Sequence, residues 1–425
     1  MVLNLEKYIW KKMKIKKINK NLNIIKTRKY KDINIYLRFS IAYNMKAKAS
    51  MAVLSKIMCD VSINYPNKTE MARKKDMLYG INCVTGYKTR GNILTYNINF
   101  AFINPKFLNT DINEYLDFIH EIINNALITD KNVNEAKRMI ISNTLRRLDR
   151  PQSYASEKVI EIISKDNEDI DVYNYSDKFV KSIEEVNKED VINIYKKLLN
   201  KAELDVYLCG DLSKSFINAF NFGFERRKEI RVKYKKINYP IRKRITETKP
   251  IGQSTLNMVF STPYNRKSDD FYAYVMGNVF LGILPTSLLF EEVREKLGLC
   301  YSIGVIDMKK EGIVKVFTDI DSKNINIVIK QINKQIQRLI NKDYDFTKLE
   351  MSKTLFINTL KSLDDDLQAF IEFDLESKLS NIEFTQKDYI DGIKKVSSED
   401  ISRVFKNYKP YFTYVLKGSG NEESL

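Results

Sequence analysis

The sequence of 425 residues contains a single histidine, His120. That scarcity excludes a zinc centre or an acid–base site built from two or more histidines of this chain, the usual composition of hydrolytic zinc sites. The four cysteines, Cys59, Cys83, Cys209 and Cys300, are far apart and form no Cys-x-x-Cys pair. They read as free thiols in a reducing cytosol, which argues against a disulfide framework and a thiolate zinc site and for a cytoplasmic location. No apolar run reaches the roughly 18 residues of a membrane span, so no transmembrane segment is expected, and no secretory signal pattern opens the chain. Phosphate-binding and nucleophile-elbow patterns are missing as well: there is no Gly-x-x-x-x-Gly-Lys-Ser/Thr, no Gly-x-Ser-x-Gly and no Gly-x-Gly-x-x-Gly.

What the sequence does contain is material for a folded protein. Hydrophobic residues make up 44% and aromatic residues 11%, and the length suffices for two or three domains with substantial cores. The net charge of +17 is local. Residues 1–31 carry a net +10 and residues 226–249 a net +9, which leaves −2 for all the rest. Such segments suit an anionic lipid, an acidic partner or a nucleic acid. The plainer reading is a lysine-rich tail and a solvated linker, and nucleic acid is not favoured as a partner.

Hydropathy patterning divides the chain into a basic N-terminal extension (1–20), a first domain (21–222), a basic linker (223–250) and a second domain (251–420). In the extension, Leu5, Ile9 and Met13 fall on one face of a short basic helix, with disorder as the competing reading. Alternation predicts strands over 23–27, 33–39, 81–88, 93–103 and 204–209, and in the second half over 254–261, 301–307 and 312–319. Helical periodicity predicts helices over 46–59, 68–78, 111–128, 133–148, 153–164 and 188–199, then over 270–281, 287–296, 324–340, 345–360 and 365–379. The acidic run at Asp364 to Asp366 marks a helix start.

An internal repeat organises these elements. Residues 183–196 (IEEVNKEDVINIYK) align without a gap with residues 393–406 (IKKVSSEDISRVFK), at an offset of 210 and with five of fourteen positions identical. Asn187 with Asp190, and Ser397 with Asp400, have the spacing of a helix-capping pair. Each copy then runs into an apolar strand ending in glycine, Gly210 or Gly418. The chain reads as two homologous α+β domains of roughly 200 residues, a usual domain size.

The segment from Gly282 to Ser302 (GILPTSLLFEEVREKLGLCYS) resembles the second-domain signature of the insulinase-like (M16) metallopeptidases. The resemblance, together with the duplication, covers roughly residues 21–420. It implies the M16/LuxS-metallohydrolase-like class: two homologous domains, each a mostly antiparallel sheet with long helices packed on it, in a clamshell arrangement. It also implies that Arg294 and Tyr301 face the substrate chamber, grip the peptide backbone and stabilise the tetrahedral intermediate. The residues themselves place Phe290, Val293 and Leu297 on one helical face against a sheet, and give Gly298 as a left-handed helix cap.

The family's metal site is an inverted His-x-x-Glu-His in the first domain, with a distal glutamate ligand. Aligned through Tyr65-Pro66, the first histidine becomes Ala52, the catalytic glutamate Ser55 and the second histidine Lys56. The distal ligand falls at Ser142, seven residues after Glu135. None of these side chains performs the original role, so no catalytic residue, metal or cofactor is expected. Asp117, His120 and Glu121 would share a helical face, yet one histidine with two carboxylates is thin for a specific metal site. The resemblance thus implies a non-catalytic subunit that pairs with a zinc-bearing homologue as a heterodimer and helps bind a peptide or unfolded polypeptide. The alternative is a scaffold that uses its basic segments to bind an acidic partner.

Overall fold

The structure, a computed structural model, describes residues 13–108, 110–166, 176–220, 229–234, 239–382 and 385–419. Leu5 and Ile9, on which the N-terminal helix reading rests, lie outside these residues, as do parts of the 223–250 segment. In chain order the first half carries β1 (Lys16–Lys17), β2 (Leu22–Lys26), β3 (Asp32–Ala42), α1 (Met45–Leu54), α2 (Lys68–Met77), β4 (Asn82–Arg90), β5 (Ile93–Ile103), α3 (Ile112–Asn124), α4 (Asp130–Leu148), α5 (Pro151–Asp166), α6 (Ser176–Glu185), α7 (Lys188–Lys201), β6 (Glu203–Gly210) and α8 (Lys214–Ala219). The second half carries β7 (Ile245–Lys249), β8 (Ser254–Ser261), α9 (Phe271–Asn278), β9 (Cys300–Met308), β10 (Ile313–Ile320), α10 (Ile325–Asn341), α11 (Phe346–Ser362), α12 (Leu367–Ser380), α13 (Gln386–Lys395), α14 (Ser398–Phe405) and β11 (Lys409–Gly418).

Two sheets result, with strand orders β1-β2-β6-β3-β5-β4 and β7-β11-β8-β10-β9. Apart from β1, the two orders are the same order twice. In each sheet the last strand of the half runs parallel to the first full strand, β6 to β2 and β11 to β7, and the other pairings are antiparallel. The sequence repeat is therefore a repeat of topology. Its caps are also real: Asn187 with Asp190 and Ser397 with Asp400 both form complete capping boxes at the starts of α7 and α14, each satisfying two backbone N–H groups that a helix start leaves open.

The chain condenses into two compact units, and each draws on both halves of the sequence. The first takes Met1–Ile141, Lys181–Ile230 and Asp364–Leu375. One face of its sheet meets α3, where Phe102 stacks on Tyr115 at 4.7 Å. The opposite face meets the start of α12: Leu367 and Ile371 pack with Ile25, Tyr36, Tyr207 and Cys209. A buried charge cluster completes that face. Glu372 accepts from Arg38 Nε at 3.2 Å and from Arg90, with Lys88 Nζ 3.5 Å away, and Tyr207 donates to Asp374 at 2.7 Å.

The second unit takes Ser142–Val180, Arg231–Leu363 and Glu376–Leu425. One face of its sheet meets α9, whose Tyr274 donates to Asp307 of β9 at 2.6 Å. The other face meets α5, whose Ala155, Val159 and Ile163 pack with Val259, Ile313, Tyr411 and Tyr414. Lys315 of β10 donates to Ser156 of α5 at 3.0 Å on the same face.

Five differences from the sequence reading stand out. Helix α1 stops at Leu54 rather than near Cys59, because Ser55 Oγ folds back on the Ala52 carbonyl at 2.7 Å and the chain tightens into turns. In the segment read as a linker, Ile245–Lys249 is a strand paired with β11, and at the end of the basic extension Lys16–Lys17 pairs with β2. The helix expected over 287–296 is wound as a π-helix at Phe290–Lys296. The reading of four free thiols holds for Cys209 and Cys300 and is corrected for the other two: Cys59 and Cys83 form a disulfide, with Cα atoms 5.9 Å apart. Strand β4 returns beside the end of α1, a proximity that a separation of 24 residues does not reveal.

Burial works against ionisation of Glu372, but Arg90, Arg38 and Lys88 outweigh it and hold the carboxyl below the ordinary range. A carboxyl with a folded-state pKa below its unfolded value of about 4.3 adds stability above that pH, and the contribution is lost as pH falls through the depressed value. Glu372→Ala is expected to lower the unfolding free energy in urea by about 3–5 kcal/mol at pH 7, since it leaves buried guanidinium groups without their carboxylate. The difference between the variant and the parent protein should shrink as the pH is taken below about 4.

Candidate functional site

Helix α1 carries the positions at which the M16 resemblance expects metal chemistry. Its N-terminus is capped by Asn44, which accepts from the Ala47 N–H at 3.1 Å. Ala49, Met51, Ala52, Val53 and Leu54 are buried, so the helix is set deep in the first unit. Ala52 offers a methyl group. The Ser55 hydroxyl is committed to the Ala52 carbonyl, while the Ser55 carbonyl accepts from Thr85 of β4 at 2.8 Å. Lys56 is exposed, and its ammonium has no ion-pair or hydrogen-bond partner among the described residues. A methyl, a hydroxyl turned back on its own helix and a cation give no metal ligand and no general base for a water. Ser142 is exposed on α4, in the stretch that belongs to the second unit.

Next to Lys56 the first unit has a small open cleft, also lined by Asp60, Lys68, Glu135 and apolar side chains of α4. Lys68 stands 2.7 Å from Glu135 and 3.5 Å from Asp60. The hydrogen bond from Lys68 holds the Glu135 carboxyl below the usual range. Glu135 is thus a surface ion-pair member in this chain.

His120 does not gather a metal set. It is exposed, with Asn124 Nδ2 3.3 Å from its ring nitrogen. Glu121 is buried and faces away to accept from the Asn64 N–H and Nδ2, both at 2.8 Å, and from Asn125 at 2.5 Å. Burial alone would raise its pKa, but these hydrogen bonds keep it lowered. Glu121 is thus a structural acceptor and not a partner of His120. No group of three or more metal-ligating side chains is assembled among the described residues.

Arg294 and Tyr301 belong to the second unit, on the π-wound turn and at the start of the edge strand β9. A Cβ on Gly282 would come within 2.6 Å of Val305 Cγ2, so glycine allows the chain before this turn to press against β9. Gly298, at φ +58, ends the turn in the left-handed region as expected, and the Gly298 N–H donates to the Arg294 carbonyl at 3.1 Å. Val293 is fully buried, whereas Leu297 is 48% exposed. The wider π winding carries Leu297 off the packed face on which a 3.6-residue period would put it. The Arg294 guanidinium lies over the Phe290 ring at 4.2 Å and 3.7 Å from Glu295, with its side chain 38% exposed. Tyr301 is 79% exposed, and its hydroxyl has no partner among the described residues. The neighbouring carboxylates are taken, Glu291 by Lys348 and Glu292 by Lys296 and Arg338. The turn therefore presents one arginine and one tyrosine with hydrogen-bonding capacity in reserve.

One pairing had no signal in the sequence. Lys315 is buried on a central strand and its pKa is pushed down to about 8 by burial, beside the Ser156 hydroxyl 159 residues away. A charged residue in an apolar strand pattern was the available hint; its partner was invisible.

Two sheets of repeated topology, and a turn at 290–296 that keeps Arg294 and leads to Tyr301, are the features set beside known proteins here. Residues 185–356 match the family model described as the peptidase M16 inactive domain. Over that stretch, and in its fold, the chain is similar to inactive members of the M16 peptidases. It is 21% identical over 411 residues, 93% of this chain and 95% of the relative, to a Bacillus subtilis (strain 168) protein described as probable inactive metalloprotease YmfF. It also matches, at 21% identity over 245 residues, 56% of this chain and 58% of the relative, an uncharacterized zinc protease of Rickettsia felis. Among solved structures, a conserved protein from Enterococcus faecalis V583 superposes with a TM-score of 0.84 at 24% identity, over 97% of this chain and all of that one (100%). A peptidase M16 inactive domain from Pseudomonas fluorescens gives 0.74 at 14% identity, over 97% and 100%. These two establish the fold. No helix among the described residues is long and apolar enough to cross a membrane.

Two outcomes are expected. After equilibration with zinc and desalting, the purified chain should retain only a small fraction of one equivalent by elemental analysis; a full equivalent would mean that other side chains rebuild a site. Under non-reducing conditions Cys83→Ser should lower the urea unfolding free energy by about 3 kcal/mol, as expected for opening a loop of this size, and added reductant should bring the parent protein to the same value.

Proposed function

We propose that this chain is the non-catalytic partner subunit of a zinc-bearing M16 homologue, to which it contributes chamber wall and peptide-backbone contacts. The observation that carries the reading is the asymmetry between its two candidate sites. At the end of α1 each catalytic role is replaced by a side chain that cannot perform it. At the π-turn, Arg294 and Tyr301 keep the side chains of the family signature with donors uncommitted. A hydrogen-bond donor aimed at a peptide carbonyl acts on a substrate whichever subunit supplies the nucleophile. Substrates would be peptides or unfolded segments, and a heterodimer is the minimal active assembly.

The scaffold reading, in which basic segments capture an acidic partner, has less support. Part of the basic segment is engaged within its own unit, with Arg242 paired to Asp166 and Ile245–Lys249 built into a sheet. Co-expression with an M16 homologue that retains His-x-x-Glu-His should give a stable complex with chelator-sensitive peptidase activity that neither chain shows alone. Arg294→Ala should lower kcat/KM of that complex by about tenfold or more without dissociating it, within the range of a lost transition-state donor. Failure to form a complex, or full activity of the Arg294→Ala complex, would contradict the proposal.

A further inference from the structure

The erased metal end of α1 is more than a loss, because of what replaces it. Lys56 sits at the mouth of the cleft beside α4, whose apolar lining includes Val61, Ala136 and Met139. The two carboxylates of the cleft, Asp60 and Glu135, are both drawn to the single ammonium of Lys68. Lys56 lines the same cleft, yet it forms no ion pair with either of them. The cleft thus offers one uncommitted ammonium next to apolar lining, while its two carboxylates share the single ammonium of Lys68.

We propose that this cleft binds a carboxylate of a peptide ligand through Lys56, with an adjacent apolar side chain resting on Val61, Ala136 and Met139. This deepens, and rests on, the reading of the chain as a peptide-binding subunit. One ammonium matches the single charge of one carboxylate, whereas the geometry of a phosphate is matched best by a bidentate arginine or several donors. The carboxylate has two possible sources, the free C-terminus of a peptide or an acidic side chain within it. A lysine at this position also suits the negative end of a helix, and that role makes the opposite prediction for the test.

The test measures fluorescence anisotropy of the full chain with three labelled pentapeptides: one with a free C-terminal leucine and no acidic residue, the same peptide amidated, and the amidated peptide with one internal glutamate. The free acid should bind about tenfold more tightly than the amide, as expected for one charge-assisted hydrogen bond. Lys56→Met should erase that difference and leave amide binding and the melting temperature unchanged, and Lys56→Arg should retain most of it. Recovery of affinity by the glutamate peptide assigns the site to any carboxylate; no recovery assigns it to the chain terminus. Equal binding of acid and amide, or a difference that survives in Lys56→Met, overturns the proposal while peptide binding itself stands. A lowered melting temperature in Lys56→Met with ligand preference intact assigns Lys56 to the helix end and also overturns it. If none of the three peptides binds, the peptide-binding reading falls, and this proposal with it.

Discussion

A sheet of five or six strands has two faces to cover, and the helices that follow it in sequence reach only one. In this protein each half of the chain supplies a helix for the second face of the other half's sheet: α5 lies on the β7–β11 sheet, and the start of α12 on the β1–β6 sheet. The contacts are not purely apolar. Arg38, Arg90 and Lys88 converge on Glu372 in one unit, and Lys315 meets Ser156 in the other. A buried charge without its partner costs far more than a lost methyl contact, so these groups fix which helix lies on which face.

Much of this was legible in the sequence. Strands β3, β5, β8 and β10 and the long amphipathic helices α3, α4, α10 and α11 follow directly from hydrophobic periodicity, and the repeat at 183–196 and 393–406 gave the shared topology. The resemblance at 282–302 pointed to the M16 peptidases, whose inactive-domain model matches residues 185–356. Other features were hidden for physical reasons. Nothing in residues 151–166 states which sheet they cover, because an amphipathic stripe specifies burial and not a partner. The π winding at 290–296 has the same composition as an α-helix, and only packing of Val293 and Gly282 against β9 selects it. The short strand β7 pairs at an edge, with alternate residues turned outward, and so reads as a linker. The Cys59–Cys83 bridge depends on how β4 returns past α1.

The candidate site was legible in its losses more than in its gains. The register from Tyr65-Pro66 led to Ala52, Ser55 and Lys56, of which Ala52 lies on buried α1, Ser55 caps it and Lys56 follows in an exposed turn. What the sequence could not supply was the state of each side chain: the Ser55 hydroxyl spent on its own helix, Glu135 held by Lys68, Glu121 turned inward to Asn64. Those commitments show that none of these side chains is placed to hold a metal or to activate a water. They also separate the α1 end, where polar groups are mostly satisfied internally, from the π-turn, where Arg294 and Tyr301 keep donors in reserve.

The central prediction, from the side chains at the end of α1, is that the chain by itself hydrolyses no peptide. Incubation of the purified chain, without any partner and with added zinc, with a library of quenched fluorescent peptides tests it most directly. The account predicts no cleavage above the enzyme-free control. Peptide turnover that copurifies with the chain, is abolished by a chelator and is restored by zinc would contradict it.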